Sequence, residues 1–377
     1  RHSNKFFLAA KYGGYNHVSE VKSNKPFNTY GNPFVDSVTN RANNDVWQKP
    51  LEQGEAGTYY LQSNARGVLA SFENIFKEAS TKAFSVAGLA SQVTALTDKG
   101  AMVYQASFDT AGWTGDLQAF ALTAARGDAP PVLSSAATWS AQEKLSQMGN
   151  PAATRKIVLG GGGGNKVASD FSWAALNSAM QNYLNAEDNE GAARVQWLRG
   201  DQREDGGKFR SRSGNLLGDI INSGAVYSGA PSLKFGTVDY AQFAKKYADR
   251  DGIVAVGSND GMLHAFDAKT GEEKFAYIPG WLAPKLPLLT RKDYAGSHQS
   301  YVDATPVVSD AVVGSGWKTV LVGGTGGGGR GVYALDVTEP KKFTAANALW
   351  EFTANDDADM GFVIGVPKIV RLRTSAK

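Results

Sequence analysis

The sequence contains no cysteine and only four histidines among its 377 residues. Without cysteine the chain can form no disulfide, thiolate metal site or thiol nucleophile. A complete lack of thiols is compatible with export, because exported proteins either pair their cysteines or do without them. His264 and His298 are too few to indicate a metal cluster. We expect His264, which alternates with apolar neighbours in a strand, to be a packed or surface residue.

An excess of one charge and a long apolar run are also missing. Lysine and arginine total 39 against 36 acidic residues, a net charge of +3, which gives no support for a nucleic-acid partner. No apolar run approaches the roughly 18 residues that a membrane-spanning helix needs. The glycine runs Gly160–Gly164 and Gly323–Gly329 lack the Gly-Lys-Ser/Thr of a phosphate loop and a following helix. There is also no Gly-x-Ser-x-Gly elbow of a serine hydrolase.

Glycine and aromatic residues are abundant, at 43 glycines and 11% aromatics, which is typical of strands joined by tight turns. The segment Asp260–Phe275 reads as an Asp-Gly turn, an alternating strand, a Thr-Gly turn and a return strand. This order predicts a hairpin of a β-propeller blade. In such a repeat the aspartate can bond the turn backbone and the glycine can adopt a positive φ. Three copies share this pattern: Gly115–Phe120, Gly261–Asp267 and Gly331–Asp336.

The periodicity changes along the chain. Residues 1–80 read as mixed α/β, with helices at Lys5–Tyr12 and from Asn64 to about Lys77 and a strand at Thr58–Leu61. Residues 81–377 read mainly as β, interrupted near 169–198 by a helical insertion with apolar residues at Phe171, Leu176, Met180 and Leu184. Strands are predicted at Met102–Phe108, Leu117–Leu122, Ile220–Tyr227, Ile253–Gly257, Met262–Asp267, Thr319–Val322 and Val332–Asp336.

Together these blocks resemble the type IV pilus tip adhesin and biogenesis family, known as PilY in pseudomonads and PilC in Neisseria. The matching blocks follow the order of that family and span residues 113–372. The principal blocks are Trp113–Phe120, Leu198–Asp201, Leu217–Ser223, Ser258–Asp267, Tyr301–Asp303, Leu321–Gly324 and Gly328–Thr338.

The resemblance implies a mainly β protein with a quinoprotein-like propeller of irregular blades. On this basis residues 81–377 form the propeller, incomplete at its C-terminus, and residues 1–80 form the C-terminal part of an α/β von Willebrand factor A domain. The earlier metal motif of that domain and the later acidic calcium loop of the family are expected to lie outside this chain. Ca²⁺ is therefore a candidate cofactor by resemblance alone.

The resemblance also implies a non-enzymatic, exported protein at the pilus tip, the outer membrane or the cell surface. Such a protein supports pilus assembly, counteracts retraction, and acts in twitching motility, virulence and adhesion. The implied partners are minor pilins and a host-cell receptor or an abiotic surface, with no nucleic acid and no membrane span.

An Arg199-Gly200-Asp201 tripeptide follows the helical insertion. An exposed Arg-Gly-Asp can bind a receptor, because its carboxylate can complete the coordination shell of a receptor-bound metal. A second copy occurs at Arg126-Gly127-Asp128, before two prolines. The alternative is that the tripeptide is an ordinary polar turn in a glycine-rich chain.

An acidic stretch precedes the first tripeptide and offers oxygen ligands at nearly alternate positions, as calcium loops do. The residues are Asn185, Glu187, Asp188, Asn189 and Glu190. The Asp-x-Asp-x-Asp-Gly order of an EF-hand is missing. A solvated acidic loop is therefore the alternative to a metal site.

Two other functions remain open. Ala265, Asp267, Thr270 and Gly271 approximate the tryptophan-docking turn of quinoprotein dehydrogenases, which bind pyrroloquinoline quinone, but Phe275 stands where those enzymes have tryptophan. The vicinal cysteine pair common in those enzymes is also absent. The other alternative is a scaffold or polysaccharide-binding propeller unrelated to pili.

Overall fold

A computed structural model describes residues 8–9, 11–12, 34–35, 41–49, 52–56, 85–91, 101–123, 132–161, 167–233 and 235–370. The chain divides into two compact units, Arg1–Lys82 and Ala83–Lys377.

In the first unit, the described residues include helical positions at 8–9 and 11–12 and a short antiparallel pair, β1 (Gln48–Lys49) and β2 (Glu52–Ala56). The predicted strand Thr58–Leu61 and the helix from Asn64 lie outside the described residues. The assignment of residues 1–80 to the end of a von Willebrand factor A domain therefore stays a prediction.

The second unit is mainly β in its described part. Its strands are β3 (Ser85–Ser91), β4 (Ala101–Asp109), β5 (Thr114–Thr123), β6 (Val132–Ser140), β7 (Ile157–Leu159), β8 (Ser169–Asp170), β9 (Val226–Ser228), β10 (Ile253–Gly257), β11 (Leu263–Asp267), β12 (Glu273–Ile278), β13 (Val307–Val313), β14 (Gly316–Gly324), β15 (Gly331–Asp336) and β16 (Ala348–Thr353). Its α-helices are α1 (Ala141–Ser146), α2 (Pro151–Thr154), α3 (Ser178–Asn185), α4 (Gly191–Leu198) and α5 (Val238–Lys246). The longest 3₁₀ segment is Gly280–Thr290.

These strands form three sheets. Sheet A has the order β3-β4-β5-β6 and sheet C the order β13-β14-β15-β16. Both are four-stranded antiparallel meanders, the unit from which propeller blades are built. Sheet B has the order β8-β7-β12-β11-β10-β9, so the meander β9–β12 is extended by β7, which runs parallel to β12. Within the described residues the sheets do not close into a ring.

Six of the seven predicted strands of the propeller region are confirmed, and β10 matches its predicted bounds. The prediction of a strand at Ile220–Tyr227 is wrong over most of its length, because only Val226–Ser228 forms one. The reason is that the backbone N–H groups of this segment donate to side chains of residues 303 and 305 and not to a neighbouring strand. The N–H of Asn222 donates to the Asp303 carboxylate at 2.9 Å, and the N–H of Gly224 donates to the Thr305 hydroxyl at 2.7 Å.

The core consists of two apolar clusters of the second unit. The larger one joins β7, β11 and β12 of sheet B to the helical insertion, the 3₁₀ segment and sheet C. The second joins sheet A and α1 to the other face of sheet B, with Tyr104, Leu117, Val254 and Phe266 fully buried. Strands β10 and β11 are buried along their whole length, because clusters cover both of their faces. None of the helices in the described ranges is both long and apolar enough to cross a membrane.

The β11–β12 turn carries the contact between sheets A and B. Gly271 has a φ of +73°, and the Asp267 carboxylate accepts from the N–H groups of Lys269 and Thr270 at 2.9 and 3.1 Å. The ring of Trp139, on β6, lies against Gly271, and its indole N–H donates to the carbonyl of Ala268 at 3.2 Å. A tryptophan thus docks on this turn, but it comes from the neighbouring sheet and not from position 275.

We expect Gly271→Ala to destabilise the chain by about 2–4 kcal/mol, because an added Cβ would meet the Trp139 ring at 2.6 Å and the φ is left-handed. Gly206→Ala is the matched control, since Gly206 has a φ of +77° but open space around it, and should cost about 1 kcal/mol. Urea unfolding measures both. Equal costs would show that the Trp139 contact contributes nothing.

Candidate binding surface on the helical insertion

The helical insertion is a hairpin of two short helices, α3 and α4. Asn177 caps α3 by accepting from the N–H of Met180 at 3.0 Å, and Met180 and Leu184 point into the larger core cluster. The four apolar residues on which the helical prediction rested are all buried in that cluster, but only Met180 and Leu184 lie on a helix, because α3 begins at Ser178, after Phe171 and Leu176. The insertion is therefore packed against the sheets as a fixed part of the unit.

Arg199 of the Arg-Gly-Asp tripeptide is buried, with 9% of its surface exposed. Its guanidinium donates to three backbone carbonyls, those of Ala152 at 2.5 Å, Phe171 at 2.9 Å and Arg155 at 2.8 Å. Burial and the nearby Arg155 lower the pKa of Arg199. In this arrangement Arg199 fastens three chain segments together and does not present its charge at the surface.

Asp201 is less buried than Arg199, but only 13% of its side chain is exposed. Its carboxylate accepts from the guanidinium of Arg203 at 2.5 Å, and this hydrogen bond lowers the pKa of Asp201. The side chain of Arg203 is 84% exposed, so the pair lies at the surface. Gly200, between the two ends of the tripeptide, has a φ of +112° and packs against Pro151.

Asp201 and Arg203 line a groove of about 570 Å³ between residues 146–153 and 196–203. Apolar and polar uncharged residues both line the groove, and this ion pair supplies its charges. The structure thus places Gly200 and Asp201 at an accessible depression and removes Arg199 from it. Receptor binding by the tripeptide stays a prediction. The second tripeptide, Arg126-Gly127-Asp128, lies outside the described residues.

The acidic stretch at 185–190 is a loop closed by ion pairs. Asp188 pairs with Arg194 at 2.7 Å and Glu190 pairs with Lys208 at 2.9 Å. Glu187 pairs with Arg291.

The two asparagines of the loop, Asn185 and Asn189, stabilise the turn of its backbone. The Asn185 side-chain oxygen accepts from the N–H of Gly191 at 2.8 Å, and Asn189 turns the chain with a φ of +60°. The oxygens are directed to different cations instead of converging on one point. Within the described ranges, no group of three or more His, Asp or Glu side chains is arranged to hold a metal ion. The residues therefore do not fit a calcium ion in this arrangement, and calcium binding at 185–190 stays a prediction without geometric support.

A buried charge network that the sequence analysis missed lies next to the tripeptide. His264 is fully buried, which confirms that it is packed, and both of its ring nitrogens face carboxylates. Nδ1 lies 2.8 Å from Glu273 and Nε2 lies 3.0 Å from Asp260. Glu273 also accepts from Arg155 at 2.6 and 2.8 Å. Arg155 in turn makes two hydrogen bonds with Arg199: its guanidinium donates to the Arg199 carbonyl at 3.4 Å, and its own carbonyl accepts from the Arg199 guanidinium at 2.8 Å.

The network keeps all of its members charged. Burial alone would lower the pKa of His264, but the carboxylates of Asp260 and Glu273 outweigh it and raise the pKa to about 9. Burial would raise the pKa of Glu273, but Arg155 and His264 lower it to about 2. The only local signal was a histidine four residues after an aspartate in an apolar strand. Arg155 lies 118 residues before Glu273, too far in sequence to be linked to it.

We expect the free energy of unfolding to fall by about 1–3 kcal/mol between pH 6.5 and 9. The folded-state pKa of His264 is raised, so its contribution is complete below pH 6.5 and is lost as the pH rises through about 9. Glu273 acts in the opposite sense, and its contribution is lost as the pH falls from about 4.5 toward 2.

Urea unfolding at a series of pH values measures the loss of stability at both the alkaline and the acidic end. His264→Gln should remove the loss of stability between pH 6.5 and 9. If His264→Gln lost as much stability between pH 6.5 and 9 as the wild type, the loss could not be assigned to His264.

We expect Arg199→Lys to lower the free energy of unfolding by about 2–4 kcal/mol, because an ammonium cannot reach three diverging carbonyls and leaves buried acceptors unsatisfied. Arg203→Lys is the matched control, and it should leave the urea midpoint unchanged because Arg203 is exposed. If Arg199→Lys proved as stable as wild type, the buried guanidinium would not be what fastens the tripeptide.

Comparison with known proteins gives a consistent family. Residues 217–376 match the family model described as the PilY1 beta-propeller domain. The chain is 34% identical over 96% of its length to the type IV pilus biogenesis factor PilY1 of Pseudomonas aeruginosa strain PAK. It is 32% identical over 98% of its length to a PilY1 homolog of Xylella fastidiosa.

The chain spans 31% of the length of the Pseudomonas relative and 28% of that of the Xylella relative. Among solved structures, the crystal structure of the Pseudomonas aeruginosa PilY1 C-terminal domain aligns at 34% identity. That alignment has a TM-score of 0.30 and covers 39% of this chain and 29% of that one. The family-model match over residues 217–376 and the alignments to the curated relatives, at 32–35% identity over 96–98% of the chain, make the chain similar to PilY1 proteins over almost its whole length.

Proposed function

We propose that the protein containing this chain is a type IV pilus biogenesis factor. The observation that carries the proposal is the 34–35% identity over 96% of the chain to Pseudomonas proteins of that name. Fold alone would not suffice, because propeller-like sheets serve many unrelated functions. The role we propose is non-enzymatic binding, and the location is the pilus outside the cell.

In its finer form the proposal places the protein at the pilus tip, where it binds minor pilins, supports assembly against retraction and adheres to a host receptor or an abiotic surface. Residues 81–377 would be the propeller part and residues 1–80 the end of a von Willebrand factor A domain. A pilus tip bears load. A unit whose insertion is fastened to its sheets by buried arginines suits that task, because the binding surface cannot swing away from the framework.

Within this role we propose that Asp201 and the adjacent groove are the receptor-facing part of the insertion. Asp201 supplies the carboxylate of the tripeptide that lines the groove, with 13% of its side chain exposed, and its partner Arg203 is an exposed side chain that can turn away at little cost. A receptor-bound metal ion or a basic side chain could then replace Arg203 as the partner of Asp201.

The test of the biogenesis role is a deletion strain complemented with the full-length gene. We expect the deletion to remove surface pili and complementation to restore them, as counted by electron microscopy of sheared pili. A deletion strain with normal pilus number and normal adhesion would contradict the proposal.

The adhesive role needs a variant that separates binding from assembly. We expect Asp201→Asn in the full-length protein to leave pilus number unchanged and to reduce host-cell adhesion at least several-fold, because the amide cannot bind a metal ion or a cation as a carboxylate does. Asp249→Asn, an exposed aspartate outside the insertion, is the control and should adhere normally. Normal adhesion by Asp201→Asn would remove the tripeptide from the function while leaving the biogenesis role intact.

A further inference from the structure

A small polar cavity lies beside the buried charge network, between the insertion and residues 210–218. Its volume is about 20 Å³, enough for one water-sized group but too small for sulfate or phosphate. Its walls include Trp197, Arg210, Arg212 and Asp260. Two of these residues, Trp197 and Arg210, have hydrogen-bond donors without an acceptor among the described residues.

The indole N–H of Trp197 has no hydrogen-bond partner, although only 3% of this residue is exposed. In the part of the chain that the structure describes, it shares this state only with the hydroxyl of Tyr333. An unpaired buried donor costs about 1–3 kcal/mol, so each such group requires an explanation. Trp197 is one of the residues that line the cavity, so a group bound there is a candidate acceptor for the indole.

Arg210 brings a positive charge to the same wall without an ion pair to a described residue. Its Nε donates to the carbonyl of Leu289 at 2.7 Å, while the guanidinium lies 4.3 Å from the ring centre of Tyr294 and 5.4 Å from that of Trp197. The terminal nitrogens of Arg210 make no hydrogen bond to any described residue. They are the second set of open donors at the cavity.

The remaining charged groups on the walls are already paired. Arg212 pairs with Asp205 at 3.0 Å. Asp260 faces His264 at 3.0 Å and accepts from the N–H groups of Gly218 and Met262 at 3.2 and 3.1 Å. Its acceptor capacity is therefore largely used. The cavity offers open donors, the Trp197 indole and the terminal nitrogens of Arg210, and these favour a group that accepts hydrogen bonds. Thr114 and Asn215 also line the cavity and can accept, so a water molecule is the alternative occupant.

From these open donors and the positive charge of Arg210 we propose that the cavity binds a single halide-sized monovalent anion, such as chloride, held by the Trp197 indole and the Arg210 guanidinium. The anion balances the charge of Arg210 and fixes residues 210–218 against the insertion. This binding is a property of the chain itself and does not depend on the pilus role, so either proposal can fail alone.

The test is the thermal unfolding of the 377-residue chain in sodium chloride and in sodium gluconate at equal ionic strength. We expect chloride to raise the midpoint saturably, by about 2–4 °C at ten times its dissociation constant, and gluconate to have no such effect. Trp197→Phe keeps the ring and removes the donor, and it should abolish the chloride-specific rise. Trp317→Phe is the matched control, because that indole donates to Asp239 at 2.8 Å elsewhere on the unit, and it should keep the rise.

A second measurement needs no variant. The ³⁵Cl NMR line of a chloride solution should broaden on adding the native chain and narrow again when bromide competes. Absence of both the broadening and the chloride-specific rise would overturn the proposal in favour of a bound water. A rise of wild-type size in Trp197→Phe would overturn the assignment to this cavity.

Discussion

The contact between Arg155 and Glu273 is the interaction on which the rest of the second unit depends. Glu273 begins β12, and Arg155 precedes β7, which runs parallel to β12. Their ion pair therefore fixes the added strand to the blade-like meander. Because Arg155 and Arg199 also bond each other's backbone, the same contact reaches the Arg-Gly-Asp turn. His264 completes the chain of contacts on the other side of Glu273.

A buried network of this kind is weak evidence for high stability, because desolvation of the charges offsets much of their attraction. It is strong evidence for a specific arrangement, since removing any one partner leaves a buried charge without compensation. The same reasoning applies to Arg194 and Arg212, which are buried and donate to the carbonyls of Leu184 and Trp197. Arginine suits this task because one guanidinium reaches several acceptors at once. The insertion is thus held by directed polar contacts as well as by its apolar side.

The structure gives the arginine and the aspartate of the Arg-Gly-Asp tripeptide different roles. In the sequence, Arg199 and Asp201 are equivalent candidates for receptor contact. In the structure, they act on opposite sides of the turn, with Arg199 serving the framework and Asp201 facing the groove. The acidic loop follows the same principle, because each of its carboxylates is satisfied by a nearby cation.

The sequence by itself determined six strands of the meanders and the turns beside them, because alternating side chains and Asp-Gly or Thr-Gly turns depend on neighbours within a few residues. It also indicated the helical insertion, although only Met180 and Leu184 of its four apolar marker residues lie on a helix. The failure at Ile220–Tyr227 has the opposite origin, since Asp303 and Thr305, about 81 residues later, take the backbone donors that a strand would use. Only the tertiary structure decided which charged residues are buried and paired. Arg155, Glu273, His264 and Asp260 meet because the fold brings distant segments together, and a charged side chain shows no local pattern that distinguishes a buried partner from a solvated one.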